Sequence, residues 1–259
     1  MHENGLIWSG QQGKALTWMD AVIDGVAVTP RAGYAVEINA LWYNAIRYTL
    51  ELAEANNDRN FVKEWSNLPS SIEESFLNTF WNEDVGYLAD YVDGYGQNLD
   101  LRSNQIIATS LPYSPIDDAT KSLVVRAVAL ELLTTKGLRT LSPNHPDYKG
   151  IYKGDQRTRD LAYHQGTVWV WQLGHYVEAN FKLFGEAFCN EAEAILANFE
   201  EDMTDYGICS IAEVYDGNPP HRAGGSTSQA WSVSEILRIK QMINKHKTNE
   251  RTIKPKSFI

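Results

Sequence analysis

Cysteine is scarce in this 259-residue chain. Cys189 and Cys209 are too few for a disulfide framework, and neither lies in a C-x-x-C or Cys/His spacing that would hold a structural metal. A reducing compartment follows, with the cytoplasm as the expected location. The start, Met1-His2-Glu3-Asn4-Gly5, has neither a basic n-region nor an apolar h-region, so no secretory signal is read there. The longest apolar run, Leu123–Leu133, contains Arg126 and Glu131 and falls well short of the ~20 residues that span a bilayer. No G-x-S-x-G, P-loop or G-x-G-x-x-G opens a helix after a strand, which removes the commonest serine-nucleophile and phosphate-binding readings. Basic charge is also short, at 23 Lys+Arg against 33 Asp+Glu, a net charge of −10. Five of the basic residues lie in residues 244–259 beside one acid, Glu250, which leaves −14 on the rest. An acidic body neutralises phosphates poorly, so neither nucleic acid nor membrane is expected as a partner, and a neutral or cationic ligand is easier to accommodate.

Aromatic residues are plentiful: 8 Trp, 13 Tyr and 8 Phe, several of the Trp beside polar neighbours. Sugars present apolar C–H faces and hydroxyl rims, and sites that bind them combine flat aromatic platforms with carboxylates and amides.

Periodicity predicts a helix over Tyr34–Ala55, where Ile38, Leu41, Trp42, Ala45, Ile46 and Leu50 recur at helical spacing. Six more are expected at Asp58–Trp81, Arg102–Leu111, Asp117–Thr135, His164–Leu183, Glu186–Glu201 and Ser228–Ile243. Asp117 and Ser226 or Thr227 are expected N-caps, and Gly137 and Gly185 expected helix stops. The Asp117 helix is apolar around much of its circumference, as in a helix packed between others. Long connections rich in Gly, Pro, Asn and Asp separate these elements: Gly5–Gly33, Asn82–Leu101, Lys136–Tyr163 and Met203–Gly225. Loops of that length in a compact domain are usually functional. No βαβ alternation appears, and alternating helices with long loops suit a ring of helical hairpins. Residues 244–259 are expected to form a flexible basic tail after a domain spanning 1–243.

The long loops carry carboxylates flanked by aromatics. Asp20 lies in Leu16-Thr17-Trp18-Met19-Asp20-Ala21 and Glu213 in Ser210-Ile211-Ala212-Glu213-Val214-Tyr215-Asp216-Gly217. Glycoside hydrolysis uses two carboxyl groups, one protonated to assist the leaving oxygen and one ionised to activate water or attack the sugar. An apolar setting such as Trp18 and Met19 is one way to raise the pKa of the acid partner. His164 and His175 share one face of the expected helix but lack a third ligand at i+4, so they read as a satisfied pair.

Several segments together resemble the C-terminal, amylo-α-1,6-glucosidase domain of glycogen debranching enzyme. They are Leu16–Asp20 with Val28-Thr29-Pro30-Arg31; Val36-Glu37-Ile38-Asn39-Ala40-Leu41-Trp42-Tyr43-Asn44; Arg102-Ser103-Asn104-Gln105; Gly137–Pro143; Tyr163-His164-Gln165-Gly166-Thr167-Val168-Trp169; Ser210–Gly217 with Pro219-Pro220-His221; and Ser228–Ser232. The resemblance runs in order from about residue 5 to about residue 240. It implies an (α/α)6 toroid, all-α apart from short hairpins at the pocket end. It further implies hydrolysis of the α-1,6-linked glucose at branch points of a glycogen-like α-glucan, with inversion and no cofactor. On that reading Asp20 is the general acid and Glu213 the general base. Trp8, Trp18, Trp42 and Trp169 are candidate sugar platforms. Glu37, Asn39, Asn104, Gln105, His164 and Gln165 begin helices and are candidates for binding hydroxyls. Asp216 either orients Glu213 or makes an Asx-turn with Gly217, and Trp81 and Trp231 are expected in the core.

Two alternatives stand beside this reading. Trehalase-like or glucoamylase-like (α/α)6 enzymes share the carboxylate chemistry on other glucosides. A non-catalytic fragment, or one half of a split enzyme, would bind polysaccharide or a partner chain without turnover. Length motivates the last: twelve helices of about 11–12 residues with loops this long do not fit into 259 residues. The resemblance therefore implies an incomplete ring of about seven helices, lacking about five at its N-terminal side and prone to association.

Overall fold

The computed structural model describes residues 1–11 and 14–253. Its α-helices among those residues are α1 Val36–Ala55, α2 Arg59–Trp65, α3 Leu68–Phe80, α4 Ile106–Ser110, α5 Asp118–Glu131, α6 Gln156–Ala162, α7 Trp171–Phe184, α8 Cys189–Ala197, α9 Asp202–Asp205 and α10 Ala230–Ile253. No helix among the described residues is long and apolar enough to cross a membrane.

Helix α1 buries Val36, Ala40, Tyr43, Ile46, Leu50 and Ala53, a stripe at steps of three and four whose first three members join the main core. Leu41, assigned to that stripe on periodicity, points outward with Tyr48 and Leu52. The expected Asp58–Trp81 helix is two helices, because Pro69 cannot donate to a carbonyl four residues back and instead occupies the first turn of α3. Asp117 caps α5 through the Thr120 N–H at 2.8 Å, as expected. Leu123 and Leu130 of α5 are exposed while Val124, Val125 and Val128 are buried, so α5 is one-sided, not enclosed. Gly185 ends α7. Gly137, by contrast, opens a strand: a Cβ there would stand 2.4 Å from the Trp169 carbonyl oxygen, so glycine permits the close approach. The cap of α10 is Gln229, whose side chain accepts the Ala230 N–H at 2.9 Å, in place of Ser226 or Thr227. Helix α10 continues through the first ten positions of the expected tail, and residues 254–259 lie outside the described residues.

Four helices form a row in which each packs on the next: α1 on α4, α4 on α7, and α7 on α10. Around them, α3 lies on α1, α5 on α4 and α7, and α8 on α10. Every residue of α4 is buried, which makes the row the interior layer and α3, α5 and α8 the outer one. These seven correspond to the seven helices expected, with α2 split from the start of one of them and α6 and α9 short additions inside loops.

The loops are more structured than an all-α reading implies. Val22–Ile23 pairs with Val26–Ala27, Trp81–Asn82 with Tyr87–Leu88, and Tyr34–Ala35, Tyr91–Asp93 and Gly96–Asn98 form a three-stranded sheet. A five-stranded antiparallel sheet runs Ala223–Gly224, Val214–Tyr215, Val168–Trp169, Gly137–Arg139, Leu133–Thr134. It draws strands from two of the four long loops. Its register sets Trp169 opposite Val214, which delivers Glu213 to the start of α7.

Candidate active site

Trp18 stands among the starts of α4, α7 and α10. Its indole meets His164, Trp169, Trp171 and Trp231 at centroid distances of 5.1, 5.4, 5.0 and 6.5 Å, nearly perpendicular to each. The Trp18 indole N–H donates to Asn104 Oδ1 at 2.6 Å, just before α4. Asn104 in turn donates to Asp90 at 2.7 Å, and Asp90 takes the Arg31 Nε–H at 2.6 Å. The other two arms of Arg31 hold both oxygens of Glu37 in the first turn of α1, at 2.5 and 2.6 Å. Arg102 adds a hydrogen bond to the His164 carbonyl at 2.8 Å and one to Gln165 at 2.7 Å. A buried chain of charge and amide thus ties the first turns of α1 and α4 to the turn before α7.

Glu213 immediately precedes Val214–Tyr215, an inner strand of the five-stranded sheet. One of its carboxylate oxygens accepts the Ser226 N–H at 2.7 Å and the other accepts the Tyr163 phenol. Tyr163 stacks on Tyr152 at 5.4 Å, leans on Trp169 at 4.8 Å, and its carbonyl accepts the Trp169 indole N–H at 3.0 Å. Burial first, then the bond to Glu213 and the nearby charges of Glu213 and Asp20, push the Tyr163 pKa well above the ordinary tyrosine range. Asp20 lies two residues after Trp18 in the same loop, and its charge is the weakest of those felt by the phenol. Asp20 is exposed, and it makes no hydrogen bond or ion pair among the described residues. The Val22–Ala27 hairpin that follows Asp20 packs on α6, immediately before Tyr163.

Of the residues named from sequence, Asp20, Glu213, Trp18, Asn104, His164 and Trp169 come together here, and several of the others serve the scaffold. Glu37 is consumed by Arg31. Asn39 is fully buried and clamps the Ile7 backbone through both ends of its amide, accepting at 2.7 Å and donating at 3.1 Å. Gln105 is spent on the Leu88 N–H and the Arg102 carbonyl, and Gln165 accepts from Arg102. Trp42 donates to the Gly5 carbonyl at 3.0 Å. Trp169 is 2% exposed, a wall behind the site with no free face. Trp8 is exposed on a separate concavity shared with Val26, Ala27 and Pro30. Asp216 makes no Asx-turn; it accepts the Tyr152 N–H at 2.7 Å. Trp81 packs against the core, whereas Trp231, expected there too, is part of the ring cluster around Trp18. His164 begins no helix: it sits in the turn between α6 and the Val168–Trp169 strand, because Gly166 breaks the helical run and Thr167-Val168 favour extended backbone. It therefore shares no helix face with His175. Tyr163, Tyr152 and the Ser226 backbone join the site although none is a site candidate from sequence; Tyr163 stands there only as the first residue of a family-like segment. Tyr163 lies 50 residues from Glu213, and no local pattern marks the contact. Among the described residues no three His, Cys, Asp or Glu side chains converge as metal ligands do.

Both His164 and His175 are held neutral. Burial lowers His164 to about 3, helped by the positive charges of Arg102 and Arg31, and burial beside Arg238 and Lys182 does the same to His175. The unfolded chain protonates them near pH 6.5, so below that pH it binds more protons than the folded protein. Stability is expected to fall as the pH drops from 6.5 towards 3, by up to about 1.4 kcal/mol per pH unit for each histidine. Urea unfolding at pH 7, 6 and 5 measures this, and a free energy that stays level from pH 7 to 5 would contradict it.

Solved structures share the fold. The chain aligns with a mannosylglycerate hydrolase from Thermus thermophilus at a TM-score of 0.57 and 17% identity, over 80% of this chain and 44% of that one. It aligns with neutral trehalase from Saccharomyces cerevisiae at a TM-score of 0.63 and 13% identity, over 83% of this chain and 39% of that one. The helical layers are thus of the (α/α)6 type. The chain belongs to the amylo-alpha-1,6-glucosidase family, a family of glycoside hydrolases, whose model matches residues 1–238. The glycogen debranching enzyme of Saccharomyces cerevisiae is 26% identical over 219 residues, which covers 68% of this chain and 14% of that protein. The chain spans less than half the length of these two solved structures and a far smaller part of that curated relative.

Proposed function

We propose that this chain hydrolyses the α-1,6-linked glucose at branch points of a glycogen-like α-glucan, by direct water attack with inversion. The observation that carries the proposal is Glu213 held by Tyr163 and the Ser226 N–H beside the Trp18 ring cluster, with Asp20 two residues after Trp18 in the same loop. Asp20, exposed and free of internal partners, protonates the departing oxygen. Glu213, held by two donors, takes a proton from the attacking water. An inverting enzyme keeps its carboxyl groups about 6.5–9.5 Å apart so that this water fits. The part-exposed rings of Trp18, Trp171 and Trp231 form the wall against which a glucose ring packs, and the family match and the debranching relative favour the α-1,6 bond over other glucosides.

The test is a substrate panel. Purified chain is incubated with limit dextrin, isomaltosides, maltose and trehalose, and the product anomer is followed by proton NMR. Release of β-glucose from limit dextrin in preference to the others is expected. Preference for trehalose would favour the trehalase-like reading suggested by the structural match. A second reading, binding of polysaccharide or a partner chain without turnover, draws on the exposed Leu41, Tyr48 and Leu52 of α1. Light scattering on the same preparation addresses it: an active, monodisperse monomer excludes that reading.

Gly225 bears on the same site. Its φ is +71°, and a Cβ added there would stand 2.5 Å from the Glu213 carboxylate. Gly225→Ala is expected to cost about 1–2 kcal/mol of stability from backbone strain. It should also lower kcat at least about tenfold, because a small displacement of a catalytic group is costly. Unchanged kcat with an unchanged melting temperature would show that Glu213 does not need the space.

A further inference from the structure

Glu213 stands just before a two-residue strand on a side chain with three rotatable bonds, and Ser226 N–H restrains only one of its oxygens. A carboxylate that must accept a proton from one particular water needs its plane fixed as well as its position. The second restraint comes from Tyr163, whose own ring has little freedom. Tyr152 stacks on one side, Trp169 and His164 crowd it at 4.8 Å each, and Tyr152 is itself held by buried Asp216 through its backbone N–H. The hydroxyl is thereby delivered to the Glu213 oxygen that Ser226 leaves open. We propose that Tyr163 is the positioning residue of this site: its phenol fixes the plane of the Glu213 carboxylate and leaves the remaining lone pairs to receive the proton from water. The inference rests on the reading of Glu213 as the general base.

Charge around the pair is consistent with a phenol that stays protonated. Tyr152, Asp20 and neutral His164 are the other titratable groups near the phenol, and Arg159 and Asp160 of α6 act on Tyr152 behind it. Two carboxylates and burial keep the Tyr163 proton in place, so Tyr163 donates and does not compete with Glu213 as a base.

Two measurements separate this inference from the reading beneath it. The first needs no turnover: the chemical shift of the Tyr163 ring carbon that bears the hydroxyl is compared by NMR at neutral pH in the intact chain and in the Glu213→Gln and Glu213→Ala variants. Loss of the charged acceptor, and then of any acceptor, is expected to move the signal stepwise, and an identical shift in all three proteins would show that the contact is not made and overturn the proposal. The second is kinetic. Tyr163→Phe keeps the ring packed against Tyr152 and Trp169, and is expected to reduce kcat about ten- to a hundredfold with KM nearly unchanged, while Tyr163→Leu loses kcat and melts earlier as well. A Tyr163→Phe enzyme with wild-type kcat would overturn the positioning role. If Glu213→Gln itself keeps wild-type activity, the Glu213 reading fails, and the NMR comparison still decides whether the pair exists.

Discussion

Replacing Glu213 by Gln is expected to reduce glucose release from a branched limit dextrin by about 10²–10⁴-fold, and Asp20→Asn by a similar factor, because each removes one proton-transfer partner from the transition state. The two losses should differ in kind. In Glu213→Gln the new amide oxygen can still accept the Ser226 N–H but cannot take a proton from water, so the defect should persist whatever the leaving group. In Asp20→Asn the amide cannot protonate a departing sugar oxygen, a step that fluoride does not require. On α-glucosyl fluoride, then, Asp20→Asn should regain most of its activity relative to wild type, and Glu213→Gln should not. Wild-type rates on dextrin in either variant would remove that residue from the mechanism, and equal recovery of both on the fluoride would reverse or dissolve the assignment of roles. Exposure matters here: Asp20 lies at an open edge of the site and Glu213 is half-buried, so neither change should unfold the protein.

Arg31→Ala should show up in stability. Arg31, Glu37 and Asp90 are all at most 5% exposed, and Arg31 supplies the hydrogen bonds that neutralise the other two. Truncating it leaves two buried carboxylates, with Arg102 at 3.8 Å from Asp90 the remaining cation. Breaking a buried pair by removing one partner costs about 3–5 kcal/mol. For a domain of this size that is a fall in melting temperature of roughly 6–20 °C. The exposed ion pair of Arg157 with Asp24 is the control, since its side chains are 61% and 80% exposed. Surface pairs contribute about 0–1 kcal/mol, so Arg157→Ala should melt close to wild type. Calorimetry on the two variants decides the matter, and an Arg31→Ala protein melting within a degree or two of wild type would mean that the buried network contributes little. Activity should fall as well, because Asp90 also orients Asn104, and Asn104 holds the Trp18 indole.

The helical layers are legible in the order of residues. Most of the seven amphipathic segments coincide with observed helices to within a few residues, the cap at Asp117 and the stop at Gly185 stand where expected, and the loops of Asp20 and Glu213 carry a chemical signature of their own. These features depend on neighbours within about four positions along the chain: a 3.6-residue period, a side chain that caps its own helix, a glycine that ends one. Departures fall where that local information ends. The apolar neighbours of His164 match a helical period, yet pairing of Val168–Trp169 with strands from two other loops holds the segment extended. Leu41 and Leu130 have the character of core residues and are exposed, because apolar character says nothing about which face finds a partner.

The polar residues divide for the same reason. Glu37, Asn39, Trp42 and Gln105 are of the right type to bind sugar, and only packing reveals that Arg31, Ile7, Gly5 and Leu88 already use their hydrogen-bonding groups. Conversely, Tyr163 heads a family-like segment, yet nothing in that segment distinguishes it from its neighbours as the partner of Glu213. Residue types and their spacing are sufficient to specify helices, caps and the presence of two carboxylates in structured loops, since each is a short-range property of the chain. Which carboxylate has partners, which aromatic keeps a free face, and which hydroxyl reaches Glu213 depend on contacts 50 or more residues apart, and those exist only once sheet register and helix packing have brought the loops together.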